Sequence, residues 1–373
     1  MRGMSSITGF WDQSFLDHNP PAGELYAAAS GRLAVEEPHP DRPERLENIR
    51  HILETELPRE VAWTDAPPAT DEQIHRVHGP DYVEAFRSFC ESDSRRFTPE
   101  TGGNEATYTA AKHAAGAAAA AADHAVKYGS EDVPYACVRP SGHHAQPETA
   151  DGFCFLNNAA IGAEQALTHE KIDRVAIVDW DVHHGNGTQE VFYDRDDVLV
   201  VSIHNDHWPW SDETHPQTGN VEEHGTGDGE GYNVNIPLPP GTGDSGYASC
   251  FDRIVAPIVS AFDPDLIVAS AGGDAGVVDP MGRNVVTKSG FEALGRRVRR
   301  LGEEHADGRL VLLQEGGYQI SHLAYAMLGT IEGILGIESD VSDPFAWLDE
   351  DKDSAAETIE SVREYYERWW DLE

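Results

Sequence analysis

Two aspartates and two histidines lie within six positions of the segment DWDVHHGNGTQ, residues 179–189. The preceding run RVAIV, residues 174–178, is apolar and β-branched, which is typical of a strand buried on both faces. If this strand continues, Asp179, Asp181 and His183 share one face, because strand side chains alternate with period two. Buried carboxylates need a positive partner, and the segment contains no Lys or Arg. The pattern therefore predicts a bound cation.

Two further segments place proton-transfer and hydrogen-bonding groups after apolar runs. RPSGHHA puts His143 and His144 in a glycine-containing turn, where an imidazole could take a proton from water. EGGY ends in Tyr318, whose hydroxyl could stabilise an oxyanion. One such residue at a strand end is more often a cap or a surface residue, so only the combination indicates catalysis.

The segment SAGGDAG adds Asp274. With Asp181 and His183 it supplies three ligands, the number that leaves a tetrahedral zinc open to water or substrate. Together with the histidine pair and Tyr318, these are the components of zinc-assisted hydrolysis of an amide or ester. The alternatives are a non-catalytic protein that binds a metal or an acyl ligand, and an arginase-like hydrolase with two manganese ions.

Strand-like runs precede these segments, and helix-like segments separate several of them. The apolar runs are residues 135–138, 174–178, 198–203, 266–271 and 309–314, and the helix-like segments are 157–168, 246–261 and 289–305. The alternation predicts one α/β domain in which helices cover both faces of a parallel sheet. Ligands bind beyond the carboxyl ends of such strands, where the chemically active residues lie.

Charge is the most unusual bulk property of the chain. It contains 27 basic and 66 acidic residues, for a net charge of −39, and only five residues are Lys. Such a surface repels nucleic acid, so we expect no direct DNA or RNA partner. At 1 M salt the Debye length is about 3 Å, which screens the repulsion between carboxylates. We therefore predict adaptation to a salt-rich cytoplasm, as in a halophile. The alternative role for the acidic surface is attraction of a cationic substrate, but concentrated salt would screen that attraction as well.

Other bulk features point to the cytoplasm. The chain shows no secretory signal or membrane-spanning segment, and its four cysteines form no CxxC pair. We expect reduced thiols, a cytoplasmic location and no membrane partner. The acidic segment 338–373 ends in a predicted helix over 355–370, which we expect to pack on the domain or at a contact in a homo-oligomer.

Six ordered segments resemble the histone deacetylase superfamily, which includes acetylpolyamine amidohydrolases and acetoin-utilisation proteins. They are HPDRPERL (39–46), RPSGHHAQPETADGFCFLNNAAIGA (139–163), DWDVHHGNGTQEVF (179–192), SIH (202–204), SAGGDAGVVDPMGR (270–283) and QEGGY (314–318). The resemblance implies the arginase/deacetylase fold, with an eight-stranded, mostly parallel sheet in a catalytic domain over 1–337. It also implies a zinc-dependent deacetylase acting on an acetylated protein or a small acylated amine.

The resemblance assigns individual roles. The ligands of one zinc ion per chain would be Asp181, His183 and Asp274. His144 would be the general base and acid, and Tyr318 the oxyanion donor. Asp179 would hold His143 and Asn186 would hold His144, as second partners that set the tautomer and basicity of each ring. Asn186 resembles the class II branch.

Further implied positions concern the substrate and a second ion. Substrate contacts would come from Gly152, Phe153 and Gly316, with Phe153 in one wall of an acyl-chain tunnel and Glu100 holding the substrate backbone. The opposite wall would come from Trp208, Trp210 or His215 in the long loop 205–231. A potassium ion is implied near Asp179, Asp181, His183, Ser202 and Ile203. Departures from the family pattern are Gly273, where many relatives have an aromatic residue, and Gly276, where many have a larger one.

Overall fold

A computed structural model describes residues 6–22, 34–35, 37–206, 218–348, 350, 353 and 355–372. At its centre lies one eight-stranded sheet in which every pair of neighbours is parallel. The strands are β1 (Ser6–Trp11), β2 (Val61–Asp65), β3 (Asp132–Ala136), β4 (Val175–Asp179), β5 (Val198–Asn205), β6 (Asn233–Leu238), β7 (Leu266–Ala271) and β8 (Leu310–Gln314). Their order is β2-β1-β3-β8-β7-β4-β5-β6. This architecture confirms the predicted parallel α/β fold.

Helices flank the sheet. They are α1 (Ser14–Asp17), α2 (Glu44–Glu56), α3 (Asp71–His75), α4 (Pro80–Cys90), α5 (Thr107–Tyr128), α6 (Asn158–Ala166), α7 (Asn186–Phe192), α8 (Asp244–Cys250), α9 (Ala256–Phe262), α10 (Lys288–His305), α11 (Ile320–Leu335) and α12 (Ala356–Tyr366). Every residue of β4, β7 and β8 is buried, as expected for central strands covered on both faces. Within the ranges given above, no helix is both long enough and apolar enough to cross a membrane.

Five strands, β3, β4, β5, β7 and β8, overlap the apolar runs predicted from the sequence. The other three, β1, β2 and β6, were not predicted, and β1 and β6 depart from a plain apolar run for local reasons. β1 contains Gly9, where the ring of Trp63 from β2 occupies the space a side chain would need. β6 contains Asn233, Asn235 and Pro237, which read as a loop. The two amides are buried in a polar network, and Pro237 is tolerated because β6 lies at the sheet edge.

The helix predicted over 246–261 is interrupted, which corrects the prediction of one continuous helix. α8 and α9 are joined by a π-helical turn at Phe251–Val255. Pro257 lies at the start of α9. Proline has no N–H for the carbonyl of Arg253, and its ring crowds that carbonyl, so the wider turn accommodates it.

The C-terminal segment contacts one edge of the sheet. The hydroxyl oxygen of the buried Tyr366 on α12 accepts a hydrogen bond from the backbone N–H of Asn235 on β6, at 2.8 Å. Nε1 of Trp370 donates to the carbonyl of Gly231 at 2.9 Å. These contacts place α12 against β6. The domain boundary after residue 337 and a contact between subunits stay predictions.

Four neighbouring strands at the centre of the sheet position the predicted site. β3, β8, β7 and β4 lie side by side, and their carboxyl ends meet at one edge because all four are parallel. His143 and His144 follow β3, Asp181 follows β4, Asp274 follows β7 and Tyr318 follows β8. Residues up to 175 positions apart in the chain (143 to 318) are thereby brought to one place.

Candidate active site

The chain turns sharply where β4 ends. Oδ1 of Asp179, the last residue of the strand, accepts a hydrogen bond from the backbone N–H of Asp181 at 2.9 Å. Oδ1 of Asp181 in turn accepts from the N–H of His183 at 3.0 Å. These carboxylate-to-backbone bonds replace the strand ladder. The strand therefore does not continue through His183, so the condition for a shared strand face is not met.

Asp181, His183 and Asp274 nevertheless converge. Nδ1 of His183 lies 3.1 Å from Oδ1 of Asp181 and 3.1 Å from Oδ2 of Asp274. One ligand atom from each of the three residues lies within 4.8 Å of the others. Both carboxylates are completely buried, and His183 is partly exposed. The structure thus brings together the three residues that the sequence suggested as metal ligands.

Two glycines leave the space that this cluster needs. A Cβ on Gly316 would lie 2.2 Å from Oδ2 of Asp274 and 2.6 Å from Oδ2 of Asp181. A Cβ on Gly272 would lie 2.3 Å from the same Asp181 oxygen. The backbone N–H of Gly316 donates to Oδ2 of Asp181 at 2.7 Å. Gly316 therefore borders both carboxylates.

The two buried carboxylates favour a cation between them. Burial and the charge of Asp181 raise the pKa of Asp274 to about 7. Burial would also raise the pKa of Asp181, but the neighbouring His143 and His183 hold it well below its usual value. A divalent cation would replace repulsion by attraction and favour the ionised form of both groups. Two carboxylate oxygens and one imidazole nitrogen are ligands that suit zinc.

His143 is surrounded by negative charge. Its Nδ1 lies 2.9 Å from Oδ2 of Asp179, and its Nε2 lies 3.7 Å from Oδ1 of Asp181. Burial alone would lower the pKa of His143, but the carboxylates of Asp181 and Asp179 raise it to about 10. The surroundings of His143 therefore favour its positively charged form.

His144 has a neutral partner instead. Its Nδ1 lies 2.7 Å from Oδ1 of Asn186, and Nδ2 of Asn186 donates to Oδ2 of Asp151 at 2.9 Å. Since a carboxylate can only accept, Asp151 requires the NH₂ group of Asn186 to face it and the amide oxygen to face His144. Nδ1 of His144 must then carry the proton, which leaves Nε2 as an acceptor. Burial and the positive charge of His143 hold the pKa of His144 well below its usual value.

Tyr318 faces the cluster from the end of β8. Its ring centroid lies 6.4 Å from that of His183 and 5.9 Å from that of Phe153, both edge to face. The guanidinium of Arg45 lies over the Tyr318 ring, 4.8 Å from its centroid. Burial raises the pKa of the Tyr318 hydroxyl well above its usual value, so this group stays protonated and can donate a hydrogen bond.

Gly152 and Phe153 form a tight turn beside His144. A Cβ on Gly152 would lie 2.2 Å from Cδ2 of His144, so only glycine fits without a shift. Phe153 adopts φ 70°, which is unusual for a residue with a side chain, and its ring also packs edge to face on His39 at 4.7 Å between centroids. Phe153 is thus held against His39 on one side and Tyr318 on the other.

Comparison with known proteins identifies this arrangement. The family model for the histone deacetylase domain matches residues 39–334. The chain belongs to the histone deacetylase family. It is 39% identical over 361 residues to histone deacetylase 8 of Arabidopsis thaliana, covering 96% of this chain and 95% of that protein.

Bacterial and archaeal members of the family are similar as well. The histone deacetylase-like amidohydrolase of Pseudomonas aeruginosa is 39% identical over 308 residues, which cover 82% of this chain and 79% of that protein. A probable deacetylase of Archaeoglobus fulgidus is 39% identical over 351 residues, covering 89% and 94%. The crystal structure of the HDA15 HD domain superposes with a TM-score of 0.84 at 33% identity, and the match covers 99% of this chain and 96% of that domain. The arginase/deacetylase fold of the family is therefore confirmed.

For the other positions predicted from the deacetylase resemblance, the structure shows only their surroundings or does not describe them. Glu100 is exposed, and its neighbour Thr101 accepts the backbone N–H of Phe153 on Oγ1 at 3.3 Å. The space beside Gly273 is filled by Leu323, and that beside Gly276 by His322, each within 2.4 Å of where a Cβ would lie. The candidates for the second tunnel wall, Trp208, Trp210 and His215, lie outside the described residues.

The predicted potassium position involves neighbouring strands. Asp179 on β4 and Ser202 on β5 are register partners, and both are buried, as is Ile203. Oγ of Ser202 lies 2.9 Å from Nδ1 of His204. A cation here would have to use the remaining lone pairs and backbone carbonyls. Potassium binding in this deacetylase-family chain stays a prediction.

Sequence reasoning assigned no role to a group of charged residues beneath the deacetylase site. Glu315 is fully buried, and its Oε2 accepts the backbone N–H groups of Gly142 at 2.9 Å and His143 at 3.3 Å. Burial raises the pKa of Glu315 to about 8. Nη2 of Arg45 donates to the carbonyl of Glu315 at 2.8 Å. One signal was available: Asp41 and Arg45 in HPDRPERL are four residues apart, and they form a buried ion pair at 2.5 Å.

Proposed function

We propose that this chain is a zinc-dependent deacetylase that hydrolyses the acetyl amide of acetyl-lysine or of another acetylated amine. The observation that supports this most directly is the convergence of three kinds of group. A metal-ligand triad, a histidine whose Nε2 is left as an acceptor, and a protonated Tyr318 surround one position. Each group supplies a different requirement of amide hydrolysis.

Asp181, His183 and Asp274 would hold the metal ion. When bound, zinc lowers the pKa of a coordinated water to about 7 and polarises a carbonyl. Within the described residues, this is the one cluster of His, Cys, Asp or Glu whose geometry suits an ion. That finding favours zinc hydrolysis over an arginase-like centre, which needs ligands for two manganese ions.

His144 would act as the general base and then as the general acid. Nε2 takes a proton from water as the water oxygen bonds to the acetyl carbon. The same proton passes to the amine nitrogen as the C–N bond breaks, which releases acetic acid and the amine; transfer of the acid proton to the amine then gives acetate and the ammonium ion. Asn186 fits this role because its neutral amide fixes the Nδ1–H tautomer without adding a charge that would hold the proton on His144.

His143 and Tyr318 would stabilise charge in the transition state. The carboxylates of Asp181 and Asp179 favour the charged form of His143, so His143 would serve as a fixed cation beside the reacting group rather than as the base. The Tyr318 hydroxyl donates to the oxyanion that forms on the acetyl carbonyl. Phe153 would line the path of the acyl-amine chain towards these groups.

A non-catalytic protein that binds a metal or an acyl ligand, of the acetoin-utilisation type, is the second candidate. A binder has no need for a neutral base beside a protonated tyrosine, so the geometry favours the enzyme. Within the enzyme proposal, an acetylated protein and an acetylpolyamine both present an acetyl amide on a linear amine. The structure supports either substrate equally.

The testing experiment measures acetate release from acetyl-lysine peptides, acetylpolyamines and other acylated amines in concentrated potassium chloride, with and without a chelator. We expect release from at least one class, loss of release after chelation, recovery with one zinc per chain, and inhibition by hydroxamates. Release that persists in metal-free protein would contradict the zinc mechanism. Absence of release from every class, with zinc bound at one per chain, would favour the binder.

A further inference from the structure

The carboxylate of Asp279 holds four backbone N–H groups from two segments of the chain. Its Oδ2 accepts from Tyr318 at 2.6 Å and from Gln319 at 3.1 Å. Its Oδ1 accepts from Met281 at 2.8 Å and from Gly282 at 3.4 Å. Each oxygen therefore serves one segment, and the side chain joins the two.

The segment that contains Met281 and Gly282 is part of the loop that carries Asp274. Asp279 follows it by five positions, and the loop folds back so closely that a Cβ on Gly282 would lie 1.9 Å from the carbonyl oxygen of Asp274. The other segment, which contains Tyr318 and Gln319, is the turn after β8. Asp279 thus connects the loop of one metal-ligand residue to the backbone of the hydroxyl donor.

The turn that carries Tyr318 needs such support because its backbone is intrinsically free. Gly316 and Gly317 precede the tyrosine, and Gly317 adopts φ 114°, a region that favours glycine. Arg45 secures one side of the turn by donating to the carbonyls of Glu315 and Gly317. On the other side of the turn, the backbone N–H groups of Tyr318 and Gln319 donate to Oδ2 of Asp279.

A hydroxyl that stabilises an oxyanion must lie within hydrogen-bond reach of it, and a displacement of about 1 Å can cost about 100-fold in rate. We propose that Asp279 is a positioning residue that sets the location of the Tyr318 hydroxyl relative to Asp274. This inference rests on the proposed deacetylase function. Asp279 is assigned no contact with substrate or metal. It acts through the backbone of Tyr318.

Asp279→Asn tests the inference with almost no change in size. A carboxylate accepts on two oxygens, whereas an amide has one acceptor oxygen and an NH₂ group that would face two N–H donors. One of the two segments must therefore lose its hydrogen bonds. We expect kcat to fall about 10- to 100-fold while KM changes little and zinc stays at one per chain.

A double-mutant cycle with Tyr318→Phe separates positioning from general stability. If Asp279 acts through the hydroxyl, Asp279→Asn should add little to the loss already caused by Tyr318→Phe. The matched control is Asp343→Asn, because the oxygens of Asp343 likewise accept two backbone N–H groups, from Lys288 and Phe345, both at 2.8 Å. This variant can lower the melting temperature but should leave kcat unchanged.

Full turnover in Asp279→Asn would overturn the inference, and so would an equal loss of kcat with and without the Tyr318 hydroxyl. If Asp279→Asn does not fold, Asp279→Glu keeps both acceptor oxygens and displaces them by one methylene, and the same cycle applies. Failure of the proposed function is distinguishable, because the wild-type protein would then release no acetate. An unchanged kcat in Tyr318→Phe would overturn the role of the hydroxyl and, with it, that of Asp279.

Discussion

Asp179 and Asn186 occupy corresponding positions beside two adjacent histidines, but one offers a carboxylate and the other a neutral amide. Asp179 lies 2.9 Å from Nδ1 of His143, and Asn186 lies 2.7 Å from Nδ1 of His144. The two imidazole centroids are 4.0 Å apart. The environment thus favours the charged form of one ring and the neutral form of the other over this short distance, which would separate the proposed fixed cation from the proposed base.

Exchanging the charge should move the pH profile. In the double variant Asp151→Asn with Asn186→Asp, the hydrogen bond between the two side chains can form while the negative charge moves beside His144. That charge stabilises protonated His144 and raises its pKa, so the neutral base appears only at higher pH. We expect the acidic limb of kcat/KM against pH to move up by about one unit. Asp151→Asn alone is the control, and an upward shift of the same size in it would contradict the assignment.

Removing the Tyr318 hydroxyl should separate chemistry from metal binding. Tyr318→Phe should keep zinc at one per chain and lower kcat by about 10²–10³, the usual loss for one oxyanion donor. Asp274→Ala should lose both zinc and turnover because it removes a buried ligand. Metal analysis beside single-turnover rates checks both variants. Near-normal turnover in Tyr318→Phe would count against its catalytic role, and turnover in zinc-free Asp274→Ala against the metal mechanism.

A methyl group at Gly316 should disturb the metal ligands without altering their identity. Its Cβ would lie 2.2 Å from Oδ2 of Asp274, which must then move. We expect Gly316→Ala to bind zinc at least tenfold more weakly, on the order of the loss seen when a ligand's supporting contacts are removed. Gly302→Ala on α10 is the matched control, because its Cβ would meet only Leu310 at an ordinary 3.6 Å. Equal zinc affinity in both variants would mean that the carboxylate can shift freely.

The net charge of −39 predicts that stability depends on salt. Repulsion among the carboxylates opposes the compact state and is screened only when the Debye length falls to about 3 Å, near 1 M salt. The melting temperature should therefore rise steadily with potassium chloride up to roughly molar concentration. Differential scanning fluorimetry across a salt series measures this. A constant melting temperature from dilute buffer upward would refute salt adaptation.

Sequence periodicity predicted the central strands because burial leaves a plain apolar run. β7 was predicted with its observed bounds, whereas β6 was missed because Asn233 and Asn235 point polar amides into a buried network. The grouping of Asp181, His183 and Asp274 could be predicted because His and Asp after strands form a recognisable pattern. Glu315 and Asp279 were given no role because each binds backbone N–H groups, and such partners leave no pattern of side-chain spacing in a sequence.

The position of β8 has a consequence for synthesis of the chain. β8 is the last strand to emerge from the ribosome, yet it lies in the sheet between β3 and β7. Until it inserts, the strands preceding it form two separate groups, β2-β1-β3 and β7-β4-β5-β6, each with an open inner edge. A nascent chain that ends before Leu310 therefore has neither a continuous sheet nor the Tyr318 turn. Completion of the sheet and of the Tyr318 turn therefore depends on the same late segment, and we expect truncated chains to be exposed to aggregation through those edges.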